Sequence, residues 1–168
     1  MKRMKRIAFQ GLAGAYSELA LYRHFGKKVH ALGCEDFAAV FEAVVDGSAD
    51  AGFIPVENTI AGTVVENYDM LLVHPVTITA EVFMPIRHCL LAPRGATLQQ
   101  IKTACSHPHA LLQCKAFLRE HAISPQPVYD TAGAASMIAA SGCHECAAIA
   151  SELCAEIYGL QVLHVFFR

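Results

Sequence analysis

The stretch 6-RIAFQGLAGAYSELALYRHFG-26 places a strand, a turn and a helix in succession at the start of the chain. Arg6 to Gly11 carries a short apolar run that is typical of a buried strand. Tyr16 to Phe25 has helical spacing, and Gly26 follows as a helix-ending residue. Because a strand that passes directly into a helix is typical of α/β folds, this stretch predicts the class of the whole chain.

The same alternation continues through a predicted first lobe, residues 1–84. Asp36 is in position to cap the second helix, and Gly47 ends it. The further predicted elements of this lobe are strands at 28–32 and 51–56 and helices at 37–46 and 64–73.

A second lobe, residues 85–168, follows the β-rich segment 76-VTITAEVFMPIRHCLLAP-93. That segment is longer than one ordinary strand, and Pro85 divides it, so we place the crossing there. The predicted elements of this lobe are strands at 101–105, 126–129, 147–150 and 160–166 and helices at 108–121, 132–140 and 152–158. We therefore expect an α/β fold with two lobes and a cleft between them.

Composition narrows the class of ligand. The 168 residues are 54% hydrophobic and 17% charged, and the net charge is -2. A chain without a wide basic surface is not expected to bind nucleic acid or a membrane, so a small-molecule or protein partner is favoured. The basic start MKRMKR lacks the apolar region of a signal peptide. Seven scattered cysteines do not form a secreted disulfide framework, so we expect a reducing cytoplasm.

Four strand-to-helix corners carry glycine or small residues together with polar ones. They are 11-GLAGAYSE-18, 56-VENTIAG-62, 105-CSHPHA-110 and 130-DTAGAAS-136. Helix starts leave backbone N–H groups and a partial positive charge, which suit a carboxylate or a phosphate. None of the corners has the spacing of a nucleotide-binding loop. The set predicts a site for a small anion, while each corner alone is also compatible with an ordinary capped helix.

The third corner contains the densest group of polar residues. Ser106 is expected to be a helix N-cap, with Pro108 in the first turn and Gln113 about two turns further along a similar face. His107 and His109 are two residues apart, which is not the zinc spacing of a helix, so no metal is expected.

Cysteines near these residues allow two interpretations. Cys105 or Cys114 paired with a histidine has the composition of a nucleophilic site, whereas a buried free cysteine is the commoner situation. Cys143 and Cys146 form a C-x-x-C pair, which is compatible with zinc binding, with thiol redox chemistry, or with a plain surface loop. We favour the loop because no second pair accompanies it.

Three polar residues at strand ends are candidates for acid, base or orienting roles: Glu57, Asn58 and Asp130. Carboxylates at such positions more often act as helix caps unless they are buried beside a ligand.

The sequence resembles the catalytic domain of prephenate dehydratases at these corners, over nearly its whole length. The matching runs are 7-IAFQGLAGAYSELA-20, 54-IPVENTIAGTVVEN-67, 86-IRHCLLA-92, 106-SHPHALLQC-114, 130-DTAGAA-135 and 147-AAIASELCAEIYGL-160. The resemblance implies a fold like that of type II periplasmic binding proteins. It also implies removal of carbon dioxide and water from prephenate to give phenylpyruvate, in phenylalanine biosynthesis, without a metal or organic cofactor.

The resemblance also implies roles for particular residues. By motif, the expected catalytic set is Glu57, Asn58, Ser106, Gln113 and Thr131. Within it, Asn58, Ser106 and Gln113 would hold the carboxylates or the hydroxyl, and Thr131 would donate a hydrogen bond. The expected substrate-binding set is Ala15, Tyr16, Ser17, Thr59, Gly62, His107, Asp130 and Ala132.

Members of this family continue into a segment carrying Thr-Arg-Phe and usually into an ACT domain that senses phenylalanine. The sequence contains no Thr-Arg-Phe. The resemblance therefore implies an incomplete first lobe, weak or absent turnover and no feedback by phenylalanine in this 168-residue form.

Two alternatives remain open. One is a two-lobed binding module that closes on a small carboxylate without chemistry, and the other is a dehydratase that acts on arogenate. In either case we expect a homodimer, because an incomplete lobe favours association.

Overall fold

Strands and helices alternate along the chain in the computed structural model, which describes residues 4–60 and 62–166. This confirms the predicted α/β class. The chain divides into two compact units: Met1–Leu12 with Tyr16–Met84, and Ala13–Ala15 with Pro85–Arg168. Within the described residues, no helix is long and apolar enough to cross a lipid bilayer.

The first unit is built on a small parallel sheet. Its elements are β1 (Arg6–Gln10), α1 (Tyr16–Phe25), β2 (His30–Cys34), α2 (Phe37–Val45), β3 (Ala51–Phe53), β4 (Glu57–Asn58), β5 (Gly62–Thr63) and α3 (Val65–Val73). Strand β1 lies between β2 and β3 and runs parallel to both, and β4 and β5 form a separate antiparallel hairpin. The predicted cap of α2 is confirmed, because the Asp36 carboxylate accepts a hydrogen bond from Ala39 N–H at 2.8 Å.

The second unit contains a larger mixed sheet. Its elements are β6 (Cys89–Ala92), a 3-10 turn (Leu98–Gln100), β7 (Thr103–Ser106), α4 (Pro108–Gln113), α5 (Lys115–Glu120), β8 (Ser124–Pro127), α6 (Thr131–Ser141), β9 (Cys146–Ala150), α7 (Glu152–Tyr158) and β10 (Gln161–Val165). The strand order is β10-β6-β9-β7-β8. Strands β7, β8 and β9 are parallel, whereas β6 runs antiparallel to both β9 and β10.

Both faces of this sheet are buried. Along β6, Leu90 packs into one hydrophobic cluster and Leu91 into the other, since successive side chains of a strand point to opposite faces. The same alternation holds for Ala148 and Ile149 on β9. A continuous apolar run such as 89-CLLA-92 is therefore the expected composition for a strand covered on both faces.

Several boundaries differ from the prediction. The second strand is His30–Cys34 instead of 28–32, and β8 is Ser124–Pro127 instead of 126–129. The predicted helix 108–121 is two short helices, because the backbone leaves helical geometry at Cys114 (φ -98°, ψ 4°). Boundary shifts of this size follow from tertiary pairing, which local propensity does not record.

The β-rich segment 76–93 is largely wrong as a strand prediction. Only Cys89–Ala92 is a strand, and residues 75–88 have no regular secondary structure. Among the described strands, none pairs with residues 76–88, and a lone strand leaves its N–H and C=O groups without ladder partners.

Residues Ala13–Ala15, which the sequence analysis assigned to the first lobe, belong to the second unit. The Ser151 hydroxyl donates to Gly14 O at 2.6 Å, and the Tyr158 hydroxyl donates to Ala13 O at 2.7 Å. The first corner is therefore attached to α7. The boundary of the units between Met84 and Pro85 coincides with the position where the sequence analysis divided the lobes.

Candidate functional site

The carboxyl ends of three parallel strands bring the polar corners of the second unit to one edge of its sheet. Each strand is followed directly by a helix whose N-cap side chain accepts a backbone N–H: His107 after β7, Asp130 after β8 and Ser151 after β9. This edge is where ligands of open α/β sheets bind. Ser151 was not among the residues that the sequence analysis selected.

His88 lies at the same edge of the sheet, although it precedes its strand instead of following it. Because β6 is antiparallel to β9, its first residue, Cys89, lies opposite the last residue of β9, Ala150. His88 is buried, and its Nε2 lies 2.7 Å from Oε1 of Gln113. An amide oxygen only accepts hydrogen bonds, so Nε2–H is the donor of this pair.

This contact orients a predicted site residue. With Oε1 bound to His88, the Gln113 side chain directs its two N–H donors away from that imidazole. His88 lies within the matching run 86-IRHCLLA-92, but no role was predicted for it. Its position depends on the direction of β6, because the residue before an antiparallel strand lies beside the carboxyl end of the neighbouring strand.

Ser106 is not the N-cap of α4, contrary to the prediction. It is the last residue of β7, is fully buried, and donates its hydroxyl to Ile149 O on the neighbouring strand at 2.5 Å. The N-cap is His107, one residue later. Pairing of Ser106 with Pro127 on β8 extends β7 through this residue and moves the helix start along the chain, while the substrate-holding role of Ser106 stays a prediction.

We expect Ser106→Ala to lower the free energy of unfolding by about 1 kcal/mol, because a buried hydroxyl loses its carbonyl partner. Urea denaturation followed by circular dichroism measures this change. Ser124→Ala, at an exposed position on β8, is the matched control and should change stability little. Unchanged stability of Ser106→Ala would contradict the structural role of the hydroxyl.

The N-cap residue of α6, Asp130, already binds one of the free backbone N–H groups at the start of this helix. Asp130 accepts from Gly133 N–H at 2.6 Å, so its carboxylate already neutralises part of the helix N-terminus. Thr131, the first helical residue, is half-buried, and Ala132 is buried. The hydroxyl of Thr131 is therefore a better candidate for binding an anion than the backbone N–H groups at the N-terminus of α6 alone.

His107 is a candidate hydrogen-bond donor. Burial, and next the charge of His109, lower the pKa of its imidazole, and Asp130 partly opposes this shift. Its Nδ1 accepts from His109 N–H at 3.3 Å, which places the ring proton of the neutral form on Nε2. At neutral pH His107 is thus a neutral donor.

The polar residues of the first unit lie on the β4–β5 hairpin. Glu57 and Asn58 form β4, with Asn58 opposite Gly62, so a β-hairpin lies between β3 and the start of α3 at Val65. The side-chain oxygen Oδ1 of Asn58 accepts a hydrogen bond from Ile60 N–H at 2.9 Å. This local bond fixes the side-chain amide. Glu57 and Thr59 are exposed.

The remaining predicted residues lie around the start of α1. Tyr16 and Ser17 are its first two residues and are half-buried. Ala15 precedes them and is part of the second unit. The structure thus groups His107, Gln113, Asp130 and Thr131 in the second unit, and Glu57, Asn58, Thr59 and Gly62 in the first.

Cysteines at the corners are buried, as the commoner interpretation held. Cys105 and Cys114 are cysteines outside any disulfide, with 9% and 2% of their surface exposed. Burial is also the main cause that raises the pKa of Cys105. Across residues 4–60 and 62–166, no group of three or more metal-binding side chains comes together.

The sequence is similar to those of curated plant dehydratases. The chain is 42% identical over 158 residues to arogenate dehydratase/prephenate dehydratase 2, chloroplastic, of Arabidopsis thaliana. The alignment covers 94% of this chain but only 41% of the plant protein, so the chain spans about two fifths of that relative.

The structure is also similar to solved structures, including that of a prephenate dehydratase. The prephenate dehydratase of Arthrobacter aurescens in complex with L-Phe superposes with a TM-score of 0.86 at 30% identity, covering 95% of this chain and 55% of that one. GqqA, described as a novel type of quorum quenching acylase, superposes with a TM-score of 0.90 at 37% identity, covering 96% and 59%. The sequence profile of the prephenate dehydratase family matches residues 7–166. The chain therefore belongs to the prephenate dehydratase family.

Proposed function

We propose that this chain binds prephenate and converts it to phenylpyruvate by removing carbon dioxide and water. The observation that carries the proposal is the cluster of hydrogen-bond donors at one sheet edge of a chain whose family match spans residues 7–166. In that cluster, His88 holds the amide of Gln113, and Thr131 and His107 lie at the ends of neighbouring strands.

The chemistry asks little of the protein beyond positioning and proton donation. As the ring carboxylate leaves as carbon dioxide, its bonding electrons move into the ring and expel the ring hydroxyl, which takes up a proton and leaves as water. A donor that hydrogen-bonds this hydroxyl stabilises the charge that develops on it. The neutral His107 and the hydroxyl of Thr131 are the groups that we assign to this task.

The second carboxylate of prephenate needs a neutral or positive environment. We assign it to the amide donors of Gln113, which hold an anion without adding a charge of their own. Asp130 is a carboxylate and would repel a second one, so we assign it to orienting the neighbouring donors of its own unit. The reaction as proposed uses side chains alone. We also propose that the protein acts in the cytoplasm and forms a homodimer.

Arogenate is the alternative substrate, since the names of the plant relatives include arogenate dehydratase. It carries an amine where prephenate has a keto group, and an amine would be favoured by a nearby carboxylate such as Asp130.

The test is product formation by the purified 168-residue chain with each substrate, after the spontaneous reaction is subtracted. Phenylpyruvate formed from prephenate faster than phenylalanine from arogenate supports the proposal, and the reverse order assigns the chain to arogenate. Saturable binding of prephenate by calorimetry without product would identify the non-catalytic binding module. If the chain neither binds nor converts prephenate, both the dehydratase and the binding module are excluded.

Because this chain superposes with GqqA, which is described as an acylase, hydrolysis of an acyl bond is the competing activity to test. Such a reaction needs an exposed nucleophile beside a base, and Ser106 is fully buried with its hydroxyl donated to Ile149 O. Incubation with an acylated quorum-sensing signal distinguishes the two activities, and we expect no hydrolysis above the buffer control.

A further inference from the structure

The turn 143-CHEC-146 brings two thiols together. Cys143 Sγ lies 2.8 Å from Cys146 Sγ, and both residues are half-buried free cysteines. The turn is closed by Cys146 N–H, which donates to Cys143 O at 3.3 Å. Its ends are as close as those of a β-turn, below about 7 Å between Cα atoms, which overlaps the usual disulfide range of about 4.4–6.8 Å. A bond between the two sulfurs therefore needs little movement of the backbone.

The surroundings of Cys143 favour a thiolate. The Cys146 thiol, and then the backbone N–H groups of Glu145 and Cys146, lower the pKa of the Cys143 thiol. The Lys102 ammonium, which pairs with Glu145 at 2.6 Å, also interacts with the charge of Cys143. The carboxyl end of α6 opposes a negative charge here, but these donors act at closer range.

Cys146 is held in place by the sheet. It is the first residue of β9 and pairs in register with Thr103, whose hydroxyl donates to its sulfur at 3.4 Å. The carbonyl of Glu145 accepts from the N–H groups of Lys102 and Thr103. One thiol is thus reactive and the other is fixed beside it, which is the arrangement of an attacking and a resolving cysteine.

In three other cysteines the surroundings disfavour the thiolate. Burial raises the pKa of Cys89 to about 11, and it also raises the pKa of Cys105. Cys34 is half-buried, and burial followed by the charge of Asp36 raises its pKa. Cys34 is therefore a suitable reference for an accessible but unactivated thiol.

The pair lies away from the candidate site. It is at the amino end of β9, whereas Ser151 and the other corner residues follow the carboxyl ends of the strands. A role for the pair is consequently independent of the proposed dehydratase reaction.

We propose that Cys143 and Cys146 form a thiol–disulfide exchange site that reacts with a small-molecule disulfide. The Cys143 thiolate attacks one sulfur of the disulfide, forms a mixed disulfide and releases one thiolate. The Cys146 thiol then loses its proton and attacks the Cys143 sulfur, which releases the second thiolate. The protein dithiol is oxidised by two electrons and the small disulfide is reduced to two thiols, so the atoms and electrons balance.

The test uses the reduced chain and oxidised glutathione, followed by alkylation of the remaining thiols and cleavage after glutamate. Cleavage after Glu120, Glu145 and Glu152 places Cys143 and Cys146 in separate peptides, 121–145 and 146–152. We expect these two peptides to be joined by a disulfide that dithiothreitol releases. We also expect Cys143 to react on the order of tenfold faster than Cys34.

Variants resolve the two steps. Cys146→Ser should accumulate a glutathione adduct on Cys143, Cys143→Ser should lose the fast reaction, and the control Cys34→Ser should behave as wild type. A stable glutathione adduct on Cys143 of the wild-type chain, or a Cys143 rate no faster than that of Cys34, would overturn the proposal. The wild-type peptide map answers the question even if a variant misfolds.

Discussion

Gly14→Ala is expected to lower the free energy of unfolding of the second unit by about 3 kcal/mol. Two costs add at this position. The backbone has φ +94°, which side chains of L-residues rarely adopt, and this strain is about 1–2 kcal/mol. In addition, a Cβ on Gly14 would lie 2.5 Å from Cys154 Sγ and 3.3 Å from its Cα. Forcing an extra carbon into a packed core costs about 1–3 kcal/mol.

The overlap cannot be relieved cheaply, because Cys154 is itself fixed. It is fully buried in the first turns of α7, and its thiol donates to Gly14 O at 3.3 Å. Moving the sulfur away would also disturb the Ser151 hydroxyl, which donates to the same carbonyl at 2.6 Å. The substitution therefore threatens the attachment of Ala13–Ala15 to the second unit.

Gly159→Ala is the matched control. Gly159 ends the same helix with φ +67°, and its added Cβ would meet no atom within 4 Å, so only the backbone strain applies. In urea denaturation followed by circular dichroism, Gly14→Ala should be clearly less stable than Gly159→Ala. Cys154→Ala should restore part of the loss when combined with Gly14→Ala. Equal stability of the two single variants would show that the packing argument is wrong.

The sequence was most informative where one residue type has one local explanation. Asp36 as a cap, Gly26 after α1, and the helices at 16–25 and 152–158 follow from periodicity and capping chemistry. These features depend on neighbours within one or two turns, so no tertiary information is needed to predict them.

Features that depend on strand order could not be predicted from the sequence. Whether Ser106 ends a strand or starts a helix is decided by pairing of β7 with β8 and β9. His88 reaches the candidate site only because β6 is antiparallel to β9. The attachment of residues 13–15 to α7 joins positions about 140 residues apart through the bond of Ser151 to Gly14. Local patterns contain no record of such contacts.

On the proposed function, Gln113→Ala should lower kcat/KM for prephenate by about 100- to 1,000-fold, the usual effect of removing a donor that stabilises developing or bound negative charge. Gln113→Glu separates this role from packing. It keeps an oxygen for Nε2–H of His88 at nearly the same volume, but it removes the amide donors and adds a charge that repels a dicarboxylate. We therefore expect Gln113→Glu to be at least as impaired as Gln113→Ala.

His88 should act through Gln113, and its variants test that coupling. His88→Leu removes the donor and should lower kcat/KM by about 10- to 100-fold, because a misplaced positioning group costs this much. His88→Gln keeps an N–H near the position of Nε2 and should recover part of the loss, whereas the exposed Gln126→Ala should have no effect. In the background of Gln113→Ala, His88→Leu should cause little further loss, since the residue it positions is gone. A full additional loss in that double variant would mean that His88 contacts the substrate itself, and wild-type turnover of Gln113→Glu would mean that the glutamine serves the fold alone.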